Sequence, residues 1–314
     1  MAETAVGIVI RSTGSRHLVQ AGERLLDCTL RGKFRLDDDD QTNPVVIGDR
    51  VVVETQPDHS GVITEIEQRT NKLTRRAAGR RIGREHVIMA NVDAAWVVQS
   101  VTKPRFNPGF VDRFLVMAEA FGVEAGLVIN KLDLLDEELA DRVGFFAGLY
   151  ESIGYPVIGT STVSEEGIED LRAALSGKTC VVVGPSGAGK TSLLNLLNPA
   201  LNLRTGEVSV RTRKGKHTTT YAELIPLGDE TFVGDTPGLR EWGLVEIEPE
   251  ELDGYFVEFR EFLNECRFPN CTHDHEPGCR IKELVEEDVL AIERYESYIN
   301  MLGALRQGDR NVGR

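Results

Sequence analysis

One eight-residue segment restricts the fold of this chain more than any other feature. Residues 184–191 read Gly-Pro-Ser-Gly-Ala-Gly-Lys-Thr, match the pattern G-x-x-x-x-G-K-S/T, and directly follow the mostly apolar residues 179–183. Such a segment joins a strand to a helix, and its glycines let backbone N–H groups and the helix N-terminus face a phosphate closely. The sequence therefore predicts an α/β domain with a P-loop. A glycine-rich turn without a ligand is the alternative.

The P-loop also predicts how a nucleotide and its magnesium ion are held. Lys190 should reach the β- and γ-phosphates, and Thr191 should coordinate Mg²⁺ through its hydroxyl. A strand over residues 231–234 ends in Asp235, which suits a second Mg²⁺ anchor, and the N–H of Gly238 can meet the γ-phosphate. The predicted phosphate-binding residues are Gly184, Pro185, Ser186, Gly187, Ala188, Gly189, Lys190, Thr191, Ser192 and Gly238.

The tetrad Asn130-Lys131-Leu132-Asp133 predicts that the base is guanine. The carboxylate of Asp133 can accept hydrogen bonds from guanine N1–H and N2–H₂, whereas adenine would leave it desolvated and unpaired. Lys131 should pack its stem over the base, and Asn130 should tie the loop to neighbouring backbone. A plain polar turn at a strand end is the alternative.

A weaker match offers a second contact to the base. Ser161 and Thr162 follow a strand that begins at Pro156, and a backbone N–H near Thr162 can donate to guanine O6. A simple helix cap explains these residues equally well. Both base-reading segments precede the P-loop along the chain.

The strand pattern divides the chain into four segments. Five short strands between residues 6 and 67 predict an OB-type β-barrel, a fold that commonly binds RNA, although a solvated β-module is the alternative. From residue 91, strands alternate with amphipathic helices, which predicts a mainly parallel sheet. The predicted segments are a barrel over 1–71, a basic linker over 72–88, a P-loop GTPase domain over 89–247 and a helical unit over 248–314.

Four candidate metal ligands cluster in the last of these segments. Cys266, Cys271, His273 and Cys279 supply three thiolates and one imidazole, enough for one closed tetrahedral Zn²⁺ site with a structural role. His275 is a competing ligand, and unrelated buried thiols are the alternative. The total of five cysteines is odd, which argues against a fully paired disulfide framework.

Charge and hydropathy limit the partners of the chain. No apolar run approaches the length of a membrane span, so we expect a cytoplasmic protein with no membrane partner. We also expect a monomer. A net charge of -14 disfavours nucleic acid on average, but the charge is uneven, and one basic block can still meet phosphate. The block consists of Lys72, Arg75, Arg76, Arg80, Arg81 and Arg84.

These motifs resemble those of the translation-factor-type GTPases, whose usual order starts with the P-loop and ends with the base-reading loops. Here the base-reading pair comes first. A circularly permuted P-loop GTPase domain, with a β-barrel in front and a Cys/His cluster behind, resembles the small-ribosomal-subunit biogenesis GTPase A family (RsgA, also called YjeQ). The resemblance implies binding of GTP and GDP, binding to the small ribosomal subunit and its rRNA late in maturation, and subunit-stimulated hydrolysis. It also favours His273, because the family pattern has Cys-x-His.

Residues 235–238 form an Asp-x-x-Gly motif, after which many GTPases of this type carry a glutamine that positions the attacking water. This chain has Leu239 there, and leucine cannot orient water. The basic residues 211–220 have the character of a first switch, in which Thr219 or Thr220 can bind Mg²⁺. The family resemblance points to a histidine here, so His217 is the expected water-positioning residue; an exposed histidine in an RNA-contacting loop is the alternative. A nucleotide-gated RNA-binding or signalling module, in which hydrolysis is incidental, is the second hypothesis for function.

Overall fold

The computed structural model describes residues 3–32, 44–76, 85–203, 223–228, 230–235 and 247–308. Among these residues, no helix is both long and apolar enough to cross a membrane. The predicted first switch over residues 211–220 lies outside this part of the chain.

The N-terminal strands form the predicted five-stranded barrel. Strand β1 pairs with β2, β2 with β3, β3 with β5, β5 with β4, and β4 returns to β1 and closes the circle. Alternating inward residues such as Val19, Leu26, Val53 and Ile63 fill a separate small core. The strands are β1 Glu3–Thr13, β2 Arg16–Ala21, β3 Arg24–Leu30, β4 Arg50–Thr55 and β5 Ser60–Ile66.

The segment predicted as a linker is partly regular structure, which corrects that interpretation. Strands β6, Lys72–Arg76, and β7, Glu85–Ala90, form an antiparallel ribbon. Leu73 and Met89 are fully buried in the core of the following domain, and this burial stabilises a ribbon that its arginine-rich sequence does not suggest. The predicted domain boundaries themselves stay predictions.

In the described residues the central domain contributes six strands to a sheet, in the order β10-β9-β8-β11-β13-β12, and the sheet continues from β12 to β1 of the barrel. All neighbouring strands are parallel except β12, which is antiparallel to β13. The sequence did not predict β12, because Pro226 argues against a strand; here Pro226 adjoins an irregular register next to Gly228. The strands are β8 Ala94–Ser100, β9 Glu124–Asn130, β10 Val157–Thr160, β11 Thr179–Val183, β12 Glu223–Gly228 and β13 Thr231–Asp235.

Helices cover both faces of this sheet and bury two cores. The first helix has a regular start and end: Asn107 Oδ1 accepts a hydrogen bond from the Phe110 N–H, Pro108 is the first helical residue, and Gly122 ends the helix with a left-handed backbone. Phe114 of this helix is buried in the core. The helices of this domain are α1 Pro108–Phe121, α2 Glu137–Ser152, α3 Ile168–Leu175 and α4 Lys190–Leu197.

The C-terminal unit, predicted as helical, begins with three 3₁₀ turns, Leu252–Tyr255, Val257–Phe259 and Leu263–Glu265. Phe256 interrupts the helical backbone at φ -91° and ψ 100°, because its ring and that of Phe259 stack in the core with centroids 5.2 Å apart. The predicted helical end of the chain is confirmed as α5, Arg280–Glu286, and α6, Ile292–Arg306.

A buried ionic cluster joins α6 to α1. Arg294 is 1% exposed; its guanidinium donates to Asp112 Oδ1 at 2.7 Å and to Glu258 Oε1 at 2.6 Å. Asp112 also accepts from the hydroxyls of Tyr150, at 2.8 Å, and Ser297. Burial alone would lower the pKa of Arg294, but the two carboxylates outweigh it and raise that pKa. The C-terminal unit is thus held on the helix that follows β8.

Candidate nucleotide site and metal centre

The P-loop has the geometry that its glycines predict. A Cβ at Gly184 would lie 2.1 Å from the Val98 carbonyl oxygen, and a Cβ at Gly189 would lie 2.2 Å from Asn130 Nδ2. Both positions also have positive φ, 153° and 98°, so a side chain is excluded by space and by backbone conformation. The loop is therefore pressed against β8 and against the start of the base-reading tetrad.

Lys190 is the first residue of α4, as the P-loop pattern predicts. Its ammonium donates to the carbonyls of Gly184, at 2.7 Å, and Pro185, at 2.9 Å, so it lies across the mouth of the loop. Thr191 and Ser192 are half-buried in the first turn of the same helix. Lysine, hydroxyl groups and a helix N-terminus thus converge at one end of β11, the arrangement that binds a phosphate chain.

Asn130 connects the base-reading tetrad to the P-loop. Its Nδ2 donates to the Ala188 carbonyl at 2.9 Å, and its Oδ1 accepts from the Thr160 hydroxyl at 3.1 Å. Asn130 and Thr160 are fully buried at the ends of the neighbouring strands β9 and β10. One side chain therefore fixes three loops relative to one another.

Ser161 holds the base-reading carboxylate. Its Oγ accepts from the N–H groups of Val163 and Ser164, each at 3.2 Å, so its own proton is directed to Asp133 Oδ1, 2.6 Å away. Ser161 is fully buried, whereas Asp133 is exposed and open to a ligand. The structure thus places Ser161 behind Asp133; a direct base contact by Ser161 or Thr162 stays a prediction.

Lys131 and Leu132 shape the floor beside Asp133. Lys131 has a left-handed backbone, φ 67°, and its ammonium donates to the Lys103 carbonyl. Burial lowers the pKa of Lys131, against the opposing effect of Asp133. Leu132 packs over Gly159, where a Cβ would lie 2.8 Å from Leu132 Cδ1.

The four predicted metal ligands come together in the C-terminal unit. One potential ligand atom from each of Cys266, Cys271, His273 and Cys279 lies within 4.8 Å of all the others. His273 Nδ1 faces the sulfurs of Cys266, at 3.6 Å, and Cys279, at 3.4 Å. The alternative ligand His275 points away, with 76% of its side chain exposed.

The donor set fits a zinc ion. Three sulfurs and one imidazole nitrogen form a closed tetrahedral set with no position left for substrate. Burial raises the pKa of Cys271 to about 12, and the neighbouring cysteines add to this rise. Such thiols lose their protons only to a strongly positive partner, which a bound Zn²⁺ supplies.

Comparison with known proteins identifies the family to which this chain belongs. The RsgA GTPase family model matches residues 66–245, and the RsgA N-terminal domain model matches residues 6–63. The chain belongs to the RsgA family of circularly permuted GTPases. It is 37% identical over 303 residues to the small ribosomal subunit biogenesis GTPase RsgA of Bacteroides fragilis, across 96% of this chain and 97% of that one.

RsgA family relatives from other sources agree in sequence and structure. The RsgA protein of Halalkalibacterium halodurans is 38% identical over 296 residues, across 94% of this chain and 95% of that protein. The crystal structure of YjeQ from Thermotoga maritima matches with a TM-score of 0.80 and 36% identity, across 97% of this chain and 99% of that chain. The crystal structure of YloQ, a circularly permuted GTPase, matches with a TM-score of 0.77 and 30% identity, across 98% and 96%.

RsgA family membership makes the chain a GTP-hydrolysing P-loop enzyme, and the family implies Mg²⁺ with GTP. Asp235 ends β13, which is parallel to β11, so its backbone lies at the sheet end that carries the P-loop. The remaining predicted site residues lie outside the described residues, as does Leu239. They are the catalytic candidate His217, the Mg²⁺ candidates Thr219 and Thr220, and the phosphate contact Gly238.

The sequence did not single out Asp253, which lies next to the candidate metal centre on the side of His273 that faces away from the cysteines. Its Oδ2 lies 3.2 Å from His273 Nε2, the ring nitrogen that faces away from the cysteines. A carboxylate in this position orients a metal-bound histidine and raises its basicity. An Asp-Gly pair in a turn gives no signal of this kind, because the contact joins residues twenty positions apart.

We expect Asp253→Asn to weaken zinc binding about tenfold to a hundredfold, the size usual for losing such a partner. Competition with a chromophoric zinc chelator measures the change. Asp274→Asn is the control, because Asp274 adjoins His273 in sequence but pairs with Arg306 at 2.7 Å. Equal zinc affinity in the two variants would contradict the role of Asp253.

Proposed function

We propose that this GTPase binds the small ribosomal subunit and assists its late maturation, with GTP hydrolysis stimulated by that subunit. The observation that carries the proposal is the whole-length match to relatives named small ribosomal subunit biogenesis GTPase, at 37% identity over 96% of the chain. Barrel, permuted GTPase domain and Cys/His unit all fall within that match. The alternative of a switch with incidental hydrolysis is not favoured.

We assign the nucleotide contacts from the convergence of loops at one end of the sheet. Asp133, oriented by Ser161, accepts hydrogen bonds from the guanine edge, and Lys131 covers the base. Lys190 exchanges its two loop carbonyls for phosphate oxygens, because a charged acceptor binds an ammonium more strongly than a neutral one. Thr191 and Asp235 hold Mg²⁺, which neutralises charge on the phosphates when bound.

The C-terminal ligands Cys266, Cys271, His273 and Cys279 hold one Zn²⁺ that stabilises the fold of their loops. Two tyrosines of α6 donate to carbonyls of the same loop, Tyr295 to His273 at 2.7 Å and Tyr298 to Thr272 at 2.8 Å. The metal centre therefore supports the face of α6 that carries Arg294.

The RNA contact of the barrel has to compete with ion pairs on its surface. Three of its exposed arginines pair with acids: Arg16 with Asp27, Arg24 with Glu3 and Arg31 with Glu54. We therefore propose that rRNA phosphates either displace these acidic partners or bind other basic residues of the barrel. We place this activity in the cytoplasm and assign the protein as a monomer in its free state.

The test is GTP turnover with and without purified small subunits, using large subunits as the control. We expect small subunits alone to stimulate turnover about tenfold or more. Leu239 cannot orient the attacking water, and a first switch that becomes ordered on the subunit supplies a residue that can. Stimulation by both subunits, or by neither, would contradict the proposal.

His217 is proposed as the residue that positions the attacking water in this stimulated state. We expect His217→Ala to lower subunit-stimulated turnover about a hundredfold, the range of one acid–base or positioning group, and to leave GDP affinity unchanged. His275→Ala is the matched control, because His275 is an exposed histidine outside the proposed metal set. Unchanged stimulated turnover in His217→Ala would reject the assignment.

A further inference from the structure

The barrel and the GTPase sheet share a strand contact beside the predicted first switch. Strand β1 pairs with β4 through Ile8 and with β2 as far as Thr13. Its register to β2 shifts between Val9 and Arg11, so an extra residue is accommodated there. Beyond this shift, Arg11 pairs with Glu223, the first residue of β12.

The register shift lets β1 serve two cores. Val9 is fully buried in the barrel core, whereas the next residue, Ile10, is buried in the core of the GTPase domain. Ile10 shares that core with Leu224 of β12 and Met89 of the ribbon. Barrel and ribbon therefore both pack against the β12–β13 hairpin.

Three residues lie in one row across three strands. Arg11 of the barrel is opposite Glu223, and Glu223 is opposite Asp235, the last residue of β13. The side chains of Arg11 and Glu223 also form an ion pair. Because Glu223 follows the segment predicted as the first switch and Asp235 precedes Gly238, the row lies between the two segments that sense the γ-phosphate in GTPases of this type.

The far side of the hairpin is equally constrained. A Cβ at Gly234 would lie 3.2 Å from Met89 Sδ, so β7 of the ribbon packs directly on the strand that delivers Asp235. Leu224, opposite Gly234, is fully buried. The β12–β13 hairpin thus packs against side chains of the ribbon and the barrel, and its strand β12 is also paired with Arg11 of β1.

We propose that Arg11 is a positioning residue of the nucleotide switch: by holding Glu223, it fixes the strand end that carries Asp235 and couples the barrel to Mg²⁺–GTP binding. The inference rests on the proposed role of Asp235 in binding Mg²⁺. By linkage, a small subunit that engages the barrel changes the affinity for Mg²⁺–GTP by the same factor as the nucleotide changes the affinity for the subunit.

The test measures two dissociation constants in the full-length chain: that of a non-hydrolysable GTP analogue with Mg²⁺, and that of GDP without Mg²⁺. We expect Arg11→Gln to raise the Kd of the analogue about threefold to fivefold, the size expected for a half-exposed ion pair, and to leave the Kd of GDP unchanged. Arg11→Lys, which keeps the charge, should restore most of the loss.

Arg31→Gln is the control for a general effect on the barrel. Arg31 pairs with Glu54, and the exposed fractions of these side chains, 46% and 37%, match the 45% and 38% of Arg11 and Glu223. The Arg31 pair lies within the barrel, away from β12, so its loss should change neither Kd. Equal thermal midpoints of the two variants would show that both fold alike.

Glu223→Gln separates positioning from simple charge. If the pair positions Asp235, both single variants weaken Mg²⁺–GTP binding and the double variant is no weaker than either. If only long-range charge matters, the two single variants change the affinity in opposite directions, which would overturn the inference. So would an Arg11→Gln protein that behaves like Arg31→Gln. If the unmodified chain showed no Mg²⁺-dependent binding of the analogue, the role of Asp235 in the proposed function would fall, and this inference with it.

Discussion

Asp133→Asn should weaken GTP binding about a hundredfold to a thousandfold, because an amide presents a donor where the guanine edge also presents donors. The structure strengthens this expectation. Ser161 directs its proton to Asp133 Oδ1, and two backbone N–H groups fix the direction of that proton. The Asp133 carboxylate is therefore held in one orientation before a nucleotide binds. Little conformational entropy is lost when it accepts the hydrogen bonds of the base.

Xanthosine triphosphate is the internal control for this variant. Xanthine carries a carbonyl at C2 in place of the amino group, so the amide introduced by Asp133→Asn can donate to it. We expect the variant to bind xanthosine triphosphate more tightly than GTP, as measured by competition against a fluorescent nucleotide. Loss of affinity for both nucleotides would indicate a damaged loop, and unchanged preference for GTP would contradict the assignment of Asp133.

Arg294→Leu should destabilise the docking of the C-terminal unit by about 3–5 kcal/mol, the cost usual for removing one partner of a buried ion pair. The variant leaves Asp112 and Glu258 buried without their common cation. Urea unfolding followed by far-ultraviolet circular dichroism measures the loss. A loss of this size would show that the Arg294 cluster makes a large contribution to holding the C-terminal unit on the GTPase domain.

Arg260→Leu is the matched control for Arg294. Arg260 also joins the C-terminal unit to α1, where it pairs with Glu119 at 2.7 Å, but its side chain is 46% exposed. A half-exposed pair contributes about 0–1 kcal/mol, so this variant should unfold close to the unmodified protein. Similar losses in both variants would contradict the importance of burial at Arg294.

The sequence predicted those parts of the site that local spacing determines. The P-loop, the tetrad at residues 130–133 and the Cys/His set are each defined by residues close together in the chain, and the structure brings each set together. The capped start of α1 at Asn107 is likewise a local signal. Apolar runs of the length usual for strands predicted where the strands that carry these motifs end.

The features that the sequence did not predict depend on contacts between distant residues. Asp112 and Arg294 are 182 positions apart, and neither stands out in an acidic, helical sequence. Pro226 argues against a strand at β12, and the arginines of the β6–β7 segment favour a linker over a ribbon. In each case tertiary burial, rather than local propensity, determines the structure. The role of Asp253 became visible only once the orientation of the His273 ring was known.

The contact between β1 and β12 has a practical consequence for dissecting the protein. Strand β12 lies between β13 and β1, so deleting residues 1–71 would leave its outer backbone groups as a bare sheet edge beside the buried positions of Leu224 and Met89. Open edges of this kind recruit strands from other molecules and promote aggregation. The GTPase domain without residues 1–71 should therefore be poorly soluble. A shortened protein intended for expression should keep β1 fused to the GTPase domain.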